Sequence, residues 1–295
     1  MSLLKFLSFS FIMVSCSSIK ENMVVFSDPP AIESVSSATV GTGKVAFKRF
    51  SFNRPDGVYS LQCADKPHKF QVKNKVANIY LPANYFSDKV KVDCTYTERG
   101  EKELALTLNI DQFDYPKESL NVPKSKVFYS KKDLARIIRE KSIKKKIYMN
   151  SSDVFLFDKP FKVPLNSYIT SHYGNQRLFN DKKKSQHLGN DLRARTGTKI
   201  PAANRGRVVY TGNLFFSGNV VVLDHGMGIF SMYGHLSKIL VTEGSVVNQG
   251  DVVGLAGATG RVSGPHLHWG VRVNGSWIDG FSLIEASKVH LGDES

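Results

Sequence analysis

Apolar and polar residues alternate most regularly over residues 264–273. In an extended strand Leu267, Trp269, Val271 and Val273 fall on one side, and His266, His268, Gly270 and Arg272 on the other. The first side belongs in a core. The second carries two imidazoles two positions apart, a spacing that lets both act on one object such as a metal. Short β-like runs also occur at 45–52, 57–62, 69–72, 76–81, 90–97 and 104–110. Turn-forming residues break them at Asn53-Arg54-Pro55-Asp56-Gly57, Asp65-Lys66-Pro67 and Glu98-Arg99-Gly100-Glu101. So many short strands in 39–111 predict a small β-sandwich of immunoglobulin-like type. Residues 131–146 predict a helix, with Leu134, Ile137 and Ile138 in i, i+3, i+4 relation. From residue 161 the texture becomes Gly-rich β structure, with strands at 208–211, 219–224, 228–233, 251–256 and 267–273 between turns such as Thr211-Gly212-Asn213 and Asn274-Gly275. The fold class expected is therefore mainly β.

Length and charge add partners to this picture. A chain of 295 residues with 41% hydrophobic content is long enough for two cores. Lys and Arg number 40 against 26 Asp and Glu, a formal net charge of +14, which favours anionic partners. The basic residues are spread along the chain without a nucleic-acid-binding signature, so nucleic acid is not an expected partner. The predicted helix holds eight of them and ends in Lys144-Lys145-Lys146. That run reads first as a solvated face, and otherwise as attraction to an acidic wall polymer or lipid surface.

At the N-terminus Lys5 precedes the apolar run 6–14, which is too short to span a bilayer and fits a secretory signal. Cys16 follows it, resembling the lipidated cysteine of bacterial lipoproteins, although Met13 and Val14 depart from the usual box. Ser17 in the next position follows the sorting habit of outer-membrane lipoproteins. The expectation is an exported, periplasmic protein with a lipid anchor at Cys16. In such an oxidising compartment Cys63 and Cys94 are expected to form a disulfide, the alternative being two buried free thiols.

Candidate chemistry gathers in the second half. His187-Leu188-Gly189-Asn190-Asp191 places His and Asp four apart, and either His266 or His268 would complete a two-His, one-carboxylate set. Three protein ligands with an open fourth position are the arrangement of catalytic rather than structural zinc, and this half has no cysteine to close such a site. No HExxH motif supplies a glutamate base, so proton transfer falls to non-ligand histidines. His235, in Tyr233-Gly234-His235-Leu236-Ser237, and the remaining member of the 266/268 pair are the candidates. Three other histidines are set aside: His225 as a turn residue, His172 as structural or groove-lining, and His68, beside Pro67, as a surface residue. Gly254, Gly257 and Gly260 read as tight β-turns, because no P-loop Lys-Ser/Thr accompanies them.

Together these blocks resemble the M23 (lysostaphin- and LytM-like) zinc endopeptidases of peptidoglycan. Ile169-Thr170-Ser171-His172-Tyr173-Gly174 matches the entry strand. His187-x-Gly189-x-Asp191-x-x-Ala194 with Gly197-Thr198 matches the first ligand block. Asp224-His225-Gly226, the 233–237 block, the glycine-spaced run 247–260 and Gly264-Pro265-His266-Leu267-His268 follow in order. Tyr173 and Trp269 depart mildly from the family's usual Phe. Upstream, 115–123 and the helix containing Arg136 are similar to a Gram-negative subgroup with an Ig-like N-terminal domain. The resemblance implies a mostly antiparallel sheet with a substrate groove. It also implies Zn²⁺ on His187, Asp191 and His268, with His235 and His266 as non-ligand catalytic residues. The substrate implied is peptidoglycan, with D-Ala–diaminopimelate cross-links favoured over pentaglycine bridges. The organisation expected is a signal at 1–15, a tether at 16–38, the Ig-like domain at 39–111, a linker with a basic helix at 112–160, the peptidase domain at 161–284 and a tail at 285–295. The alternative is a zinc-binding but non-catalytic regulator of another wall hydrolase.

Overall fold

The computed structural model describes residues 36–292 apart from 65, 99, 121–128 and 180–182. The expected signal, Cys16 and most of the expected tether lie outside these residues. Among the described residues no helix is long and apolar enough to cross a membrane.

The N-terminal strands are β1 (Ser36–Gly41), β2 (Val45–Ser51), β3 (Gly57–Cys63), β4 (Lys66–Lys73), β5 (Val76–Pro82), β6 (Lys91–Glu98) and β7 (Glu101–Asp111). They form one continuous sheet in the order β1-β7-β6-β3-β4-β5-β2, curled until its two ends lie side by side. The two packed sheets of the expected immunoglobulin-like sandwich are replaced by this nearly closed barrel. Its interior holds Phe50, Phe52, Leu61, Phe70, Ile79, Leu81, Tyr96 and Leu106. Cys63 and Cys94 are joined by a disulfide. They sit opposite each other on the paired strands β3 and β6, so the bridge staples neighbours in one sheet rather than facing sheets. Closing a chain separation of 31 residues in this way is worth about 3–4 kcal/mol in the chain-entropy account. Two expectations change here. Residues 36–38, taken as tether, belong to β1 and pair in parallel with β7. His68 is buried, at 4% exposure, because β4 alternates and places it on the same inward face as Phe70 and Val72.

The connection contributes β8 (Lys117–Leu120) and α1 (Lys131–Ile147). Ser130 and Asp133 form a capping box at the start of α1, and Lys144, Lys145 and Lys146 fall at the favourable end of the helix dipole. The helix is where its sequence predicts, but its buried side is not the expected one. Leu134 and Ile138 are exposed, while Glu140 and Ile147 are buried.

Twelve further strands follow: β9 (Ile169–Ser171), β10 (Gln176–Phe179), β11 (Lys183–Gln186), β12 (Asn190–Arg193), β13 (Lys199–Pro201) and β14 (Gly206–Leu214), then β15 (Gly218–Gly226), β16 (Ile229–Ile239), β17 (Val246–Val247), β18 (Val252–Ala256), β19 (His266–Val273) and β20 (Ser276–Ile278). The main sheet runs β17-β14-β15-β16-β19-β12-β9 with antiparallel pairing throughout. Strand β19 behaves as its alternation predicts: Leu267, Trp269, Val271 and Val273 have no exposed surface, and each contributes about 2 kcal/mol of apolar burial. Its other face is left for chemistry. A final helix, α2 (Gly280–Leu291), replaces most of the expected tail. Asp279 caps it, Leu283 and Ala286 pack on the core, and His290 reaches the barrel, stacked 4.4 Å from Phe47 and 3.0 Å from the Tyr80 hydroxyl.

Candidate metal centre and groove

Strands β12 and β19 pair in antiparallel register with Asp191 opposite His268, and His187 stands four residues before Asp191 where the chain enters β12. Three donor atoms converge there. His187 Nε2 lies 3.0 Å from Asp191 Oδ1 and 3.2 Å from His268 Nδ1, and His268 Nδ1 lies 2.8 Å from Asp191 Oδ1. Metal–ligand bonds of about 2.0 Å at tetrahedral angles set donors roughly 3.3 Å apart, so this spacing fits a small divalent ion. These three residues form the metal-binding triad.

The surrounding groups fix each donor. His187 Nδ1–H donates to the His172 carbonyl at 2.9 Å, which fixes the tautomer and turns Nε2 toward the other donors. His172 thus serves through its backbone, and its side chain is exposed. Arg177 Nη2 donates to Asp191 Oδ2 at 3.2 Å and to Ser171 Oγ at 2.6 Å, leaving Oδ1 to the triad. Gly189 lies against the His268 ring, and a Cβ there would come within 2.5 Å of Cε1. Only glycine lets the chain pass so close, which accounts for the His-x-Gly-x-Asp spacing.

Burial alone would push the Asp191 carboxyl up, but hydrogen bonds and charge from His187 and His268 outweigh it and hold the group well below the usual carboxylate range. Burial lowers His268 despite its contact with Asp191. Asp191 therefore offers an ionised carboxylate and His268 a neutral imidazole, the forms that bind metal.

His235 and His266 share the same groove, their rings 4.8 Å apart. His266 Nδ1–H donates to the Gly264 carbonyl at 2.9 Å, and its Nε2 lies 3.6 Å from Asp191 Oδ1. His235 Nδ1–H donates to the Thr259 carbonyl at 2.8 Å, and its backbone N–H donates to Ser217 O at 2.7 Å. Its φ of 62° is left-handed, unusual for a residue other than glycine and held by these two loops. Burial, then the neighbouring His268 and His266, push its pKa down to about 3, so it is neutral at pH 7.

Sequence reading brings together all five candidates and misses three neighbours. Arg177 sits on β10, which pairs with β8, so Glu118 from the upstream stretch lies 3.6 Å from its guanidinium. The Gly174-Asn175-Gln176-Arg177 run directly after the entry turn was the available signal. Glu140 of α1 is buried, pairs with Arg136 at 2.7 Å, and accepts from the Phe215 N–H at 2.8 and 3.0 Å through its two oxygens. It thereby anchors the turn between β14 and β15 whose Ser217 carbonyl holds His235. His225, expected in a turn, ends β15 fully buried and serves structure, its ring nitrogens 2.7 Å from the Arg205 carbonyl and 2.7 Å from Ser231 Oγ.

The groove measures about 890 Å³ and passes over all five residues. A sequence profile of Peptidase family M23 matches residues 185–280. Among curated proteins, peptidoglycan DD-endopeptidase ShyA of Vibrio cholerae is 43% identical over 108 residues, covering 36% of this chain and 25% of that protein. DD-carboxypeptidase/endopeptidase Mpg of Neisseria meningitidis is 38% identical over 97 residues, covering 33% of this chain and 22% of that protein. The match thus spans no more than about a quarter of these relatives. The crystal structure of a Pseudomonas aeruginosa protein assigned to peptidase M23 aligns with a TM-score of 0.62 at 25% identity, covering 83% of this chain and 94% of that one.

Proposed function

We propose, from the match of residues 185–280 to the profile of Peptidase family M23, that this chain is a zinc endopeptidase that hydrolyses peptide bonds of peptidoglycan, with the D-Ala–diaminopimelate cross-link as its bond. The observation that carries the reading is the convergence of three donor atoms within 3.2 Å of one another in a groove that also holds two further histidines. A donor set of two imidazoles and one carboxylate without thiolate suits Zn²⁺. Bound by His187, Asp191 and His268, the ion supplies Lewis acidity that polarises a carbonyl and makes water nucleophilic near neutral pH.

The chain's own residues do the rest. His235 and His266 each commit Nδ1–H to a backbone carbonyl, which leaves Nε2 of both as the working atom. One takes the proton of the attacking water on Nε2 and, as the imidazolium so formed, gives it to the departing amine, while the other, its ring 4.8 Å away, completes the polar lining beside the reacting carbonyl. Arg177, donating to Asp191 Oδ2, orients the carboxylate. The non-catalytic regulator reading gains nothing from this geometry, because every ligand and both auxiliary histidines are in place. The same proposal carries export and an envelope location, with the anchor at Cys16, and keeps the signal, tether, N-terminal β domain, linker and peptidase domain as functional units.

Purified sacculi incubated with the intact protein should release muropeptides cleaved at the cross-link, as read by mass spectrometry, and the His268→Ala protein should release none. Equal release by both would remove the enzyme reading. Anchoring of His235 gives a second expectation. Glu140→Ala leaves the Phe215 N–H without its acceptor and Arg136 without its ion-pair partner, so the turn bearing Ser217 loosens. Hydrolysis should fall about tenfold or more at unchanged zinc content, since a small misplacement of a catalytic group costs this much. Unaltered kcat would show that the turn holds itself.

A further inference from the structure

The groove continues beyond the metal triad. From His268 the same face of β19 runs on through Gly270 toward Arg272, a rise of about 7 Å per two residues. Register places Met232 of β16 beside Gly270, and Val222 of β15 beside Met232. A Cβ on Gly270 would come within 3.0 Å of the Trp277 ring and 3.2 Å of Met232 Cε, so glycine keeps this floor low. Over the floor lies the last turn of α1. Ile147 packs with Leu214, Val222 and Met232, and Tyr148 meets the Trp277 and Phe230 rings edge-on while the Arg272 guanidinium lies 4.6 Å from its own ring centre. The connecting helix therefore walls off one end of the groove, and the chamber between it and the triad is apolar.

Among the described residues, Lys144 faces this chamber without a counter-charge. Lys144, one turn before Tyr148, is half-buried and lines the groove, whereas Lys145 and Lys146 are exposed. Arg177 in the same groove is committed to Asp191 and Glu118. Lys144 has no acidic partner within ion-pair distance among the described residues. An ammonium partly withdrawn from water at the rim of an apolar chamber complements a chain whose apolar part lies on the floor and whose carboxylate reaches the rim.

We propose that α1 and the sheet together form a specificity subsite for a carboxylate-bearing segment of the stem peptide, with Lys144 receiving the carboxylate and Gly270, Met232 and Trp277 the apolar stem. This rests on the wall-peptidase reading for the kind of ligand, but its test does not require cleavage. The background is His266→Ala, which keeps the metal ligands. The probes are a purified cross-linked muropeptide and the same muropeptide with its carboxylates converted to carboxamides. Calorimetric titration should show the free acid binding about tenfold more tightly, the scale of one charge-assisted hydrogen bond in a partly buried site. Adding Lys144→Gln should erase that preference, Lys144→Glu should reverse it, and Lys145→Gln should leave it intact. Absence of binding, equal binding of the two probes, a preference that survives Lys144→Gln, or an equal loss with Lys145→Gln would each overturn the subsite. A subsite that passes while sacculi remain uncut would instead overturn the peptidase reading alone.

Discussion

His268→Ala is expected to lose zinc and hydrolysis together, whereas His266→Ala keeps zinc and loses only hydrolysis. The two side chains leave β19 on the same face two residues apart, so strand spacing leaves them equivalent and only the family resemblance distinguishes them in the sequence. The donor distances separate them. His268 Nδ1 is 2.8 Å from Asp191 Oδ1 and 3.2 Å from His187 Nε2, while the nearest approach of His266 to that carboxylate is 3.6 Å. Removing His268 leaves two donors from the triad and an Asp191 carboxylate that has lost one of the hydrogen bonds keeping it ionised. Removing His266 leaves the triad whole and takes away a proton-transfer group, a loss of about 10²–10⁴-fold in rate. Metal content after gel filtration in low-zinc buffer, measured beside kcat/KM, decides the matter. Loss of zinc from His266→Ala with retention in His268→Ala would exchange the two assignments.

How far this site was legible follows from the kind of signal each residue sends. His187, Asp191, His235, His266 and His268 lie in short blocks where spacing within a strand or at its entrance decides which side chains meet. Strand period and turn chemistry are local, so these blocks could be read directly. Arg177, Glu118 and Glu140 act through contacts between elements far apart in sequence. No periodicity relates Glu140 to Phe215, because their meeting depends on where α1 packs. The same limit explains the barrel. Strand positions follow from alternation, but whether successive strands divide into two sheets or curl into one depends on pairings such as β3 with β6 and β1 with β7, which span long separations. His68 was misplaced because its place beside Pro67 suggested a surface, while the two-residue period of β4 puts it with Phe70 and Val72.

His68 and His225 should make both halves of the molecule acid-sensitive well above the carboxylate range. Burial lowers the pKa of each to about 4 from an ordinary value near 6.5, helped at His68 by Lys66 and opposed at His225 by the Arg205 carbonyl and Asp224. The folded chain thus holds both rings neutral where the unfolded chain would protonate them. Their contribution is complete above about pH 6.5, falls as pH drops toward 4, and loses nothing further below that, because both states are then protonated. Each shift corresponds to about 3 kcal/mol at the lower end, a large share of the stability of an ordinary domain. Calorimetric melts of chelator-treated protein at pH 7.5 and 4.5 would separate this from metal loss, and unfolding of both halves should move to lower temperature. The two histidines differ in what replaces them. His225 uses both ring nitrogens, whereas His68 Nδ1 is buried with no hydrogen-bond partner among the described residues. His68→Leu therefore removes an unsatisfied polar atom together with the titration, so the N-terminal barrel should become more stable at pH 4.5 and flatter in its pH dependence. A barrel whose acid sensitivity is the same with leucine at 68 would mean that another group carries it.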